Sequence, residues 1–254
     1  MNKLVKVCGL TDGDNIRAVE ALGVDMTGFI FYPRAPRGVR AVPSYLPARA
    51  ARVGVFVDAS YDEIMARRAA FGLTAVQLHG SESPDLCRRL RASGLRVIKA
   101  FGISPDGSGL PSSPVTPVTP VTSSTPTSSC DQPSSSTDRG SSFDHPSTST
   151  LSTSSCDQPS SSAGYFDSCD LFLFDTRTEA HGGSGQAFDW SILDRYTGPV
   201  PFLLSGGIGP ESVEELKRID NKYFIGIDLN SRFELKPGVK DIDLLSAFLR
   251  DFRS

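Results

Sequence analysis

Cys8, at the end of the apolar run 4–8, is the first residue whose type and position suggest chemistry. Gly9 follows it and Thr11-Asp12 can start a helix, so the pattern predicts a buried strand that ends on a thiol and turns into a helix. Such a thiol is either a small core residue or a nucleophile or base at the mouth of an α/β fold. A core residue is the more common role of a lone cysteine, so the rest of the chain has to decide.

Four later apolar runs also end on polar residues or glycines. Those residues are His79, Asp175, the pair Gly206-Gly207, and Asp228 with the nearby Asn230-Ser231. A thiol and a carboxyl, Cys8 and Asp175, suit proton transfer in two directions, although Asp175 as a helix cap is the structural alternative. Paired glycines let backbone N–H groups approach an anion, which favours a phosphate site at Gly206-Gly207 over a simple tight turn.

One further side chain, Arg37, and two of those just named, His79 and Asp228, are candidates for contacts with a substrate. Arg37 lies in a loop stiffened by Pro33 and Pro36, and its guanidinium fork can bind a carboxylate bidentately. A solvated surface arginine is the more common role. His79 is more often a structural histidine than a catalyst, and Asp228 either holds substrate hydroxyls or bonds the backbone.

These residues need a fold that brings strand ends together. Short, nearly continuous apolar runs alternate with helical patterns, as in parallel strands that are buried on both faces. The expected strands span about 4–8, 26–31, 52–57, 75–78, 97–101, 171–174, 202–204 and 224–227. The expected helices include 12–22, a short one near 48, 60–71, 83–92, a remnant near 165, a short one after 190, 210–219 and 241–252.

Eight such units predict the α/β class and a (β/α)8 TIM barrel, whose active site lies at the C-terminal ends of the strands. The competing fold is an open doubly wound sheet. No GxGxxG motif follows the first strand, so the nucleotide-binding form of that fold is disfavoured.

Residues 104–162 differ from the rest of the chain. Of these 59 residues, 39 are Ser, Thr or Pro, and one ten-residue unit occurs at 127–136 and again at 153–162. Such a segment buries too little apolar area to offset its chain entropy. We therefore expect one barrel domain over 1–254, interrupted by a disordered insertion in place of most of helix 5. Cys130, His145 and Cys156 lie in this segment, and a metal site there is far less plausible than coincidence.

The overall composition excludes several classes of protein. The net charge is −3 with scattered basic residues, which favours neither nucleic acid nor a membrane surface as partner. No apolar run reaches the ~20 residues of a membrane span, and the first residues lack the pattern of a signal peptide. Five cysteines without CxxC spacing indicate neither a disulfide framework nor a zinc site. We expect a cytoplasmic protein, and the sequence does not indicate its oligomeric state.

Seven motifs, taken in chain order, resemble the phosphoribosylanthranilate isomerase family of tryptophan biosynthesis, over nearly all of the chain except the insertion. They are Lys6-Val-Cys-Gly-Leu-Thr11, Gly28-Phe-Ile-Phe31 with Pro36-Arg37, Gln77-Leu-His-Gly80, Phe174-Asp-Thr176, Gly182-Gly-Ser-Gly185 with Phe188-Asp-Trp190, Ser205-Gly-Gly-Ile208, and Asp228 with Pro237-Gly238. No single motif is specific, but the ordered set is.

The resemblance implies an Amadori rearrangement of a phosphorylated small-molecule substrate, with no metal and no organic cofactor. It implies that Asp175 is the general acid and Cys8 the general base, and that Arg37 holds the anthranilate carboxylate. It also implies that Gly206, Gly207, Asn230 and Ser231 form the phosphate loops. Arg232 departs from the family pattern, which has a glycine in this loop.

Two other functions remain open at the level of sequence. One is the related aminoaldose isomerase of histidine biosynthesis, which resembles this family but uses carboxylates for both proton transfers. The other is a non-catalytic barrel used as a binding scaffold. The thiol at position 8 and the carboxylate site expected at Arg37 favour the tryptophan-pathway isomerase.

Overall fold

The structure is a computed structural model that describes residues 3–112, 162–176 and 189–254. Eight parallel strands in these ranges form a closed barrel whose strand order follows the sequence. The strands are β1 Leu4–Cys8, β2 Met26–Ile30, β3 Ala51–Phe56, β4 Ala75–Leu78, β5 Arg96–Gly102, β6 Leu171–Asp175, β7 Phe202–Ser205 and β8 Phe224–Leu229. The predicted barrel is confirmed.

The barrel has two apolar layers, because successive residues of a strand point to opposite faces. On β6, Leu171 and Leu173 belong to a small cluster with Met26 and Val53. Phe172 and Phe174 belong to a large cluster that also includes helix residues. The small cluster is therefore the barrel interior and the large one the layer between strands and helices. Both faces are apolar, which explains why the strands show no alternation in sequence.

Four of the five α-helices in the described ranges begin where a side chain caps them. The helices are α1 Gly13–Ala21, α2 Tyr61–Phe71, α3 Pro84–Ala92, α4 Val213–Lys217 and α5 Ile242–Arg253. The side chains of Asp12, Ser60, Ser83 and Asp241 each accept a hydrogen bond from a first-turn N–H, the arrangement that the sequence predicts for helix starts. The 3-10 turn Pro210–Ser212 leads into α4, so the predicted helix at 210–219 starts as a 3-10 turn and ends earlier.

The prediction of a short helix near Ala48 is wrong, since residues 41–50 form bends and irregular backbone. Glu20 of α1 explains the difference. Its carboxylate accepts hydrogen bonds from the backbone N–H groups of Arg49 and Ala50, at 2.6 and 3.0 Å, and from the hydroxyl of Tyr45. These bonds tie the segment to α1 and satisfy N–H groups that a helix would otherwise use.

Only the two ends of the predicted insertion lie within the described residues. Residues 104–112, which the sequence assigned to the insertion, form turns in which Gly107 N–H donates to Ser104 O at 2.9 Å. The helix remnant predicted near Tyr165 is present as the 3-10 turn Ser162–Tyr165. The remainder, 113–161, lies outside the described residues. No helix in the described ranges is long and apolar enough to cross a membrane.

A hairpin that the sequence analysis missed follows β8. The 3-10 turn Ser231–Phe233 leads to β9 Glu234–Lys236, which pairs with β10 Val239–Lys240 in antiparallel register. Pro237-Gly238 forms the turn between them, and this dipeptide is the local signal that could have revealed the hairpin. The hairpin carries two charged side chains into the candidate site.

We expect Glu20 to make stability dependent on pH in the acid range. Its hydrogen bonds lower the pKa of this carboxyl to about 2, against about 4.3 in an unfolded chain. The contribution of Glu20 to the free energy of unfolding is therefore complete above the pKa of the unfolded state. It is lost as the pH falls towards the pKa of the folded state. Urea unfolding of wild type and Glu20→Gln should show a larger stability difference at pH 7 than at about pH 3. A difference that does not change with pH would contradict the assignment.

Candidate active site

The barrel brings most of the predicted site residues to one end. Cys8 and Asp175 are the last residues of β1 and β6, and Asp228 is the penultimate residue of β8. His79 directly follows β4, and Gly206-Gly207 follow β7. Because all eight strands are parallel, these positions lie at the same, C-terminal mouth of the barrel.

Cys8 points into the barrel interior, where it is buried. Its neighbour Val7 packs in the outer layer, so Lys6 and Cys8 share the inner face. A side-chain carbon on Gly28 of β2 would lie 2.7 Å from the Cys8 sulfur, so a glycine is needed there to leave room for the thiol. Burial raises the pKa of the Cys8 thiol, and the cations of Lys6 and Lys240 offset part of that rise.

A fully buried ion pair lies beside the thiol. The ammonium of Lys6 donates to both carboxylate oxygens of Asp228, each at 2.9 Å, and the two residues are register partners on β1 and β8. Burial by itself would lower the pKa of Lys6, but Asp228 and the Cys8 thiol raise it. Burial raises the pKa of Asp228, Lys6 opposes that rise, and the charge of Asp175 adds to it. Asp228 thus interacts electrostatically with groups on both sides of the mouth.

Asp175 is buried and is paired with His79. The Nε2 atom of His79 lies 3.2 Å from Oδ2 of Asp175, and the Nδ1 atom lies 3.3 Å from Nε2 of Gln77. With the Gln77 amide donating to Nδ1, the ring proton is on Nε2 and is donated to Asp175. The chain Gln77–His79–Asp175 therefore fixes the orientation of the carboxyl group.

The glycine pair after β7 packs against the end of β6. Gly206 and Gly207 have left-handed φ angles of 90° and 68°. A side-chain carbon on Gly206 would lie 2.7 Å from Thr176 N and 2.8 Å from Oδ1 of Asp175, whereas one on Gly207 would meet nothing within 4 Å. The loop therefore passes close to Asp175 and opens to free space at Gly207, as a backbone site for an anion requires.

Arg37 binds a carboxylate that belongs to the protein itself. Its Nε lies 2.9 and 2.8 Å from the two carboxylate oxygens of Glu234, and its Nη2 lies 2.7 Å from Oε2. Lys240 also donates to Glu234, at 2.8 Å. Burial by itself would raise the pKa of Glu234, but the bonds from Arg37 and Lys240 bring it below its ordinary value. The Nε–Nη2 edge of the guanidinium is thereby fixed on Glu234.

The two predicted residues after β8 lie in different surroundings. The side chain of Asn230 accepts a hydrogen bond from Lys240 at 2.9 Å and so faces the Cys8 side of the mouth. Ser231 is exposed at the start of the 3-10 turn. The motif Gly182-Gly-Ser-Gly185 lies outside the described residues.

Sequence reasoning missed four residues of this site, namely Lys6, Gln77, Glu234 and Lys240. Lys6 and Gln77 lie within quoted motifs, but a strand pattern alone does not tell which polar residue faces a barrel interior. Strict alternation from Cys8 and His79 would have placed both on the inner face. The pairing of Glu234 with Arg37 crosses 197 positions of sequence, and no local signal predicts it.

The fold and site together are those of a barrel enzyme that moves protons on a small anionic molecule. Comparison with known proteins gives the family. The family model described as N-(5'phosphoribosyl)anthranilate (PRA) isomerase matches residues 5–112 and 143–251. The N-(5'-phosphoribosyl)anthranilate isomerase of Phocaeicola vulgatus is 37% identical over 251 residues, with 98% of each chain covered. That of Parabacteroides distasonis is 37% identical over 253 residues, with 97% of this chain and 92% of the relative covered. The chain belongs to the phosphoribosylanthranilate isomerase family.

Solved structures agree with this membership. Phosphoribosyl anthranilate isomerase from Thermotoga maritima matches with a TM-score of 0.67 and 28% identity, covering 99% of this chain and 98% of that one. A structure of the isomerase with reduced 1-(o-carboxyphenylamino)-1-deoxyribulose 5-phosphate matches with a TM-score of 0.62 and 26% identity, with 99% and 98% covered. The family and fold expected from the sequence motifs are confirmed.

We expect the cation of Lys240 to support ionisation of the Cys8 thiol. In Lys240→Met the pKa of Cys8 should rise, because one of the two cations that lower it is gone. The pH dependence of alkylation of Cys8 by iodoacetamide, followed by peptide mass spectrometry, measures this shift. Lys236→Met, which removes an exposed charge of the same hairpin, is the matched control. An unchanged or lowered midpoint in Lys240→Met would refute the role.

Proposed function

We propose that this protein converts N-(5-phosphoribosyl)anthranilate to 1-(2-carboxyphenylamino)-1-deoxyribulose 5-phosphate, with Asp175 as general acid and Cys8 as general base. The observation that carries the assignment is the placement of a thiol and a carboxyl at the ends of β1 and β6. Asp228 lies between them and interacts electrostatically with both sides. Family membership supplies the substrate.

The first proton transfer opens the ribose ring. Asp175 gives its proton to the ring oxygen, the bond from C1 to that oxygen breaks, and the nitrogen lone pair forms the C1=N bond. An acid in this role must be held at one position close to the leaving oxygen. His79 at 3.2 Å and the glycine loop beside Oδ1 hold Asp175 in that way.

The second transfer removes the proton from C2. The Cys8 thiolate takes it, the C2–H electron pair forms the C1=C2 bond, and the iminium nitrogen accepts the displaced pair. The resulting enolamine then tautomerises to the ketone. The imine of the substrate is the electron sink, so the chain needs no cofactor for this step. Lys6, whose ammonium interacts with both Asp228 and the thiol, favours the ionised base.

The two anionic ends of the substrate fit two different parts of the mouth. We assign the anthranilate carboxylate to Arg37, whose orientation Glu234 fixes. The phosphate belongs at the Gly206-Gly207 loop and at the loop of Asn230 and Ser231, since the loops after strands 7 and 8 are the usual phosphate site of this fold. His79 and Asp228 line the space between them.

The two alternatives differ from this proposal in observable ways. The histidine-pathway isomerase uses a carboxylate where this chain has Cys8, a thiol for which Gly28 leaves room. A non-catalytic scaffold has no need for a buried lysine–aspartate pair beside a thiol. Turnover of the aminoaldose of histidine biosynthesis, but not of phosphoribosylanthranilate, would favour the first alternative.

Loss of either proton-transfer group should abolish most of the activity. Consumption of phosphoribosylanthranilate is measured by the loss of its fluorescence. Cys8→Ala and Asp175→Asn should each lower kcat by about 10²-fold or more. Cys87→Ala, which removes a buried thiol of α3 outside the mouth, should keep kcat within about twofold. Normal turnover by either of the first two variants would overturn the acid–base assignment.

Replacement of Arg37 should weaken binding at the carboxylate end alone. A lysine cannot hold Glu234 with two N–H groups and also offer a further N–H group to the substrate, so Arg37→Lys should raise KM by about tenfold, which corresponds to about 1.4 kcal/mol. The inhibition constant of free anthranilate should rise in parallel, and that of inorganic phosphate should stay unchanged. An equal rise of both inhibition constants would instead indicate a general disturbance of the mouth.

A further inference from the structure

Arg232 connects the loop after β8 to the loop after β7. It lies in the 3-10 turn Ser231–Phe233. Its Nη1 donates to the carbonyl oxygen of Gly207 at 3.3 Å, and its Nη2 lies 2.9 Å from Oε1 of Glu211. The guanidinium lies over Gly209, where an added side-chain carbon would be 2.6 Å from Nε and 2.7 Å from Cζ. A cation is therefore held directly on the glycine loop.

The other cations described at the mouth all contact carboxylates of the protein. Lys6 binds Asp228, and both Lys240 and Arg37 bind Glu234. All three contacts involve carboxylates that are almost fully buried. Arg232 differs because half of its side chain is exposed and because its partner Glu211 is 61% exposed. An ion pair as exposed as this one is weak, so its guanidinium can be recruited by a stronger anion.

We propose that Arg232 binds the phosphate group of the substrate and that Glu211 competes with the phosphate for the guanidinium. This proposal rests on the proposed function. A phosphate at the Gly206-Gly207 loop would lie beside Nη1, which already contacts Gly207. Charge-assisted hydrogen bonds from arginine to phosphate are strong and can be bidentate. The doubly charged phosphate displaces Glu211, and the guanidinium then neutralises charge that the backbone N–H groups leave uncompensated.

A purely structural role for Arg232 predicts a different outcome. If the residue only braces the two loops, its bond to Glu211 is part of the brace. Loss of either partner would then change the affinity for phosphate in the same direction. If Arg232 binds phosphate and Glu211 competes, the two losses have opposite effects on affinity. The sign of the Glu211 effect therefore separates the two roles.

The test uses the full chain with four variants. In Arg232→Gly we expect KM to rise about tenfold, kcat to stay within about twofold, and the inhibition constant of inorganic phosphate to rise in parallel with KM. Arg232→Lys keeps the charge and should recover part of the affinity. Glu211→Gln should lower KM by about two- to threefold, because the competitor is gone. Arg218→Gly, which removes an exposed arginine at the end of α4, should leave KM unchanged.

Equal increases of KM in Arg232→Gly and Glu211→Gln, or no change in Arg232→Gly, would overturn the proposal. Inorganic phosphate binding can also be followed without turnover. Trp190 is the only tryptophan of the chain, and its Nε1 donates to Oγ1 of Thr176 at 3.1 Å, next to Gly206. Its fluorescence should report phosphate binding, weakened in Arg232→Gly. Phosphate binding that depends on Arg232 in a chain without isomerase activity would refute the proposed function alone.

Discussion

The buried pair of Lys6 and Asp228 is the interaction on which the rest of the site depends. Two opposite charges lie in the barrel interior, with contacts of 2.9 Å from the ammonium to both carboxylate oxygens. Removing charges from water is expensive, and losing one partner of such a pair leaves the other uncompensated, at about 3–5 kcal/mol. A barrel designed for stability alone would have apolar residues here. The pair is explained by what lies on either side of it, a thiol and a carboxyl.

The same pair makes the two groups proposed for proton transfer, Cys8 and Asp175, part of one electrostatic system. Lys6 acts on the Cys8 thiol, and Asp228 acts on both Cys8 and Asp175. A negative charge on Asp228 opposes ionisation of the Cys8 thiol, whereas Lys6 favours it. The arrangement therefore treats the two sites differently, since the thiol lies next to the cation and Asp175 is paired with His79. Two groups with different roles in proton transfer require such different surroundings.

The sequence predicted the barrel and the strand-end residues because both depend on local patterns. Apolar runs of strand length mark strands buried on both faces, and the residue after each run marks the mouth. The prediction of a helix near Ala48 failed because that segment depends on a distant contact. Glu20, which lies in a helix 30 positions away in sequence, holds it. Glu234 was missed because its role depends on Arg37, which only the folded chain brings near. Sequence patterns predict where a residue lies along a strand. Pairings between charges that are distant in sequence can be seen only in the closed barrel.

The segment after β8 shows how one stretch of chain can organise both ends of a substrate. From residue 230 to residue 240 it contacts three regions of the mouth. Arg232 reaches the glycine loop after β7, Glu234 fixes Arg37 after β2, and Lys240 lies close enough to act on Cys8. The hairpin makes the last two contacts geometrically dependent on each other, because the strands β9 and β10 fix the spacing of Glu234 and Lys240. In the proposed complex, Arg37 and the Gly206-Gly207 loop hold the two anionic ends of the substrate, and this segment contacts both of them. A substrate held in that way would also be fixed relative to Cys8 and Asp175, which is what two successive proton transfers at the two atoms bonded to C1 require.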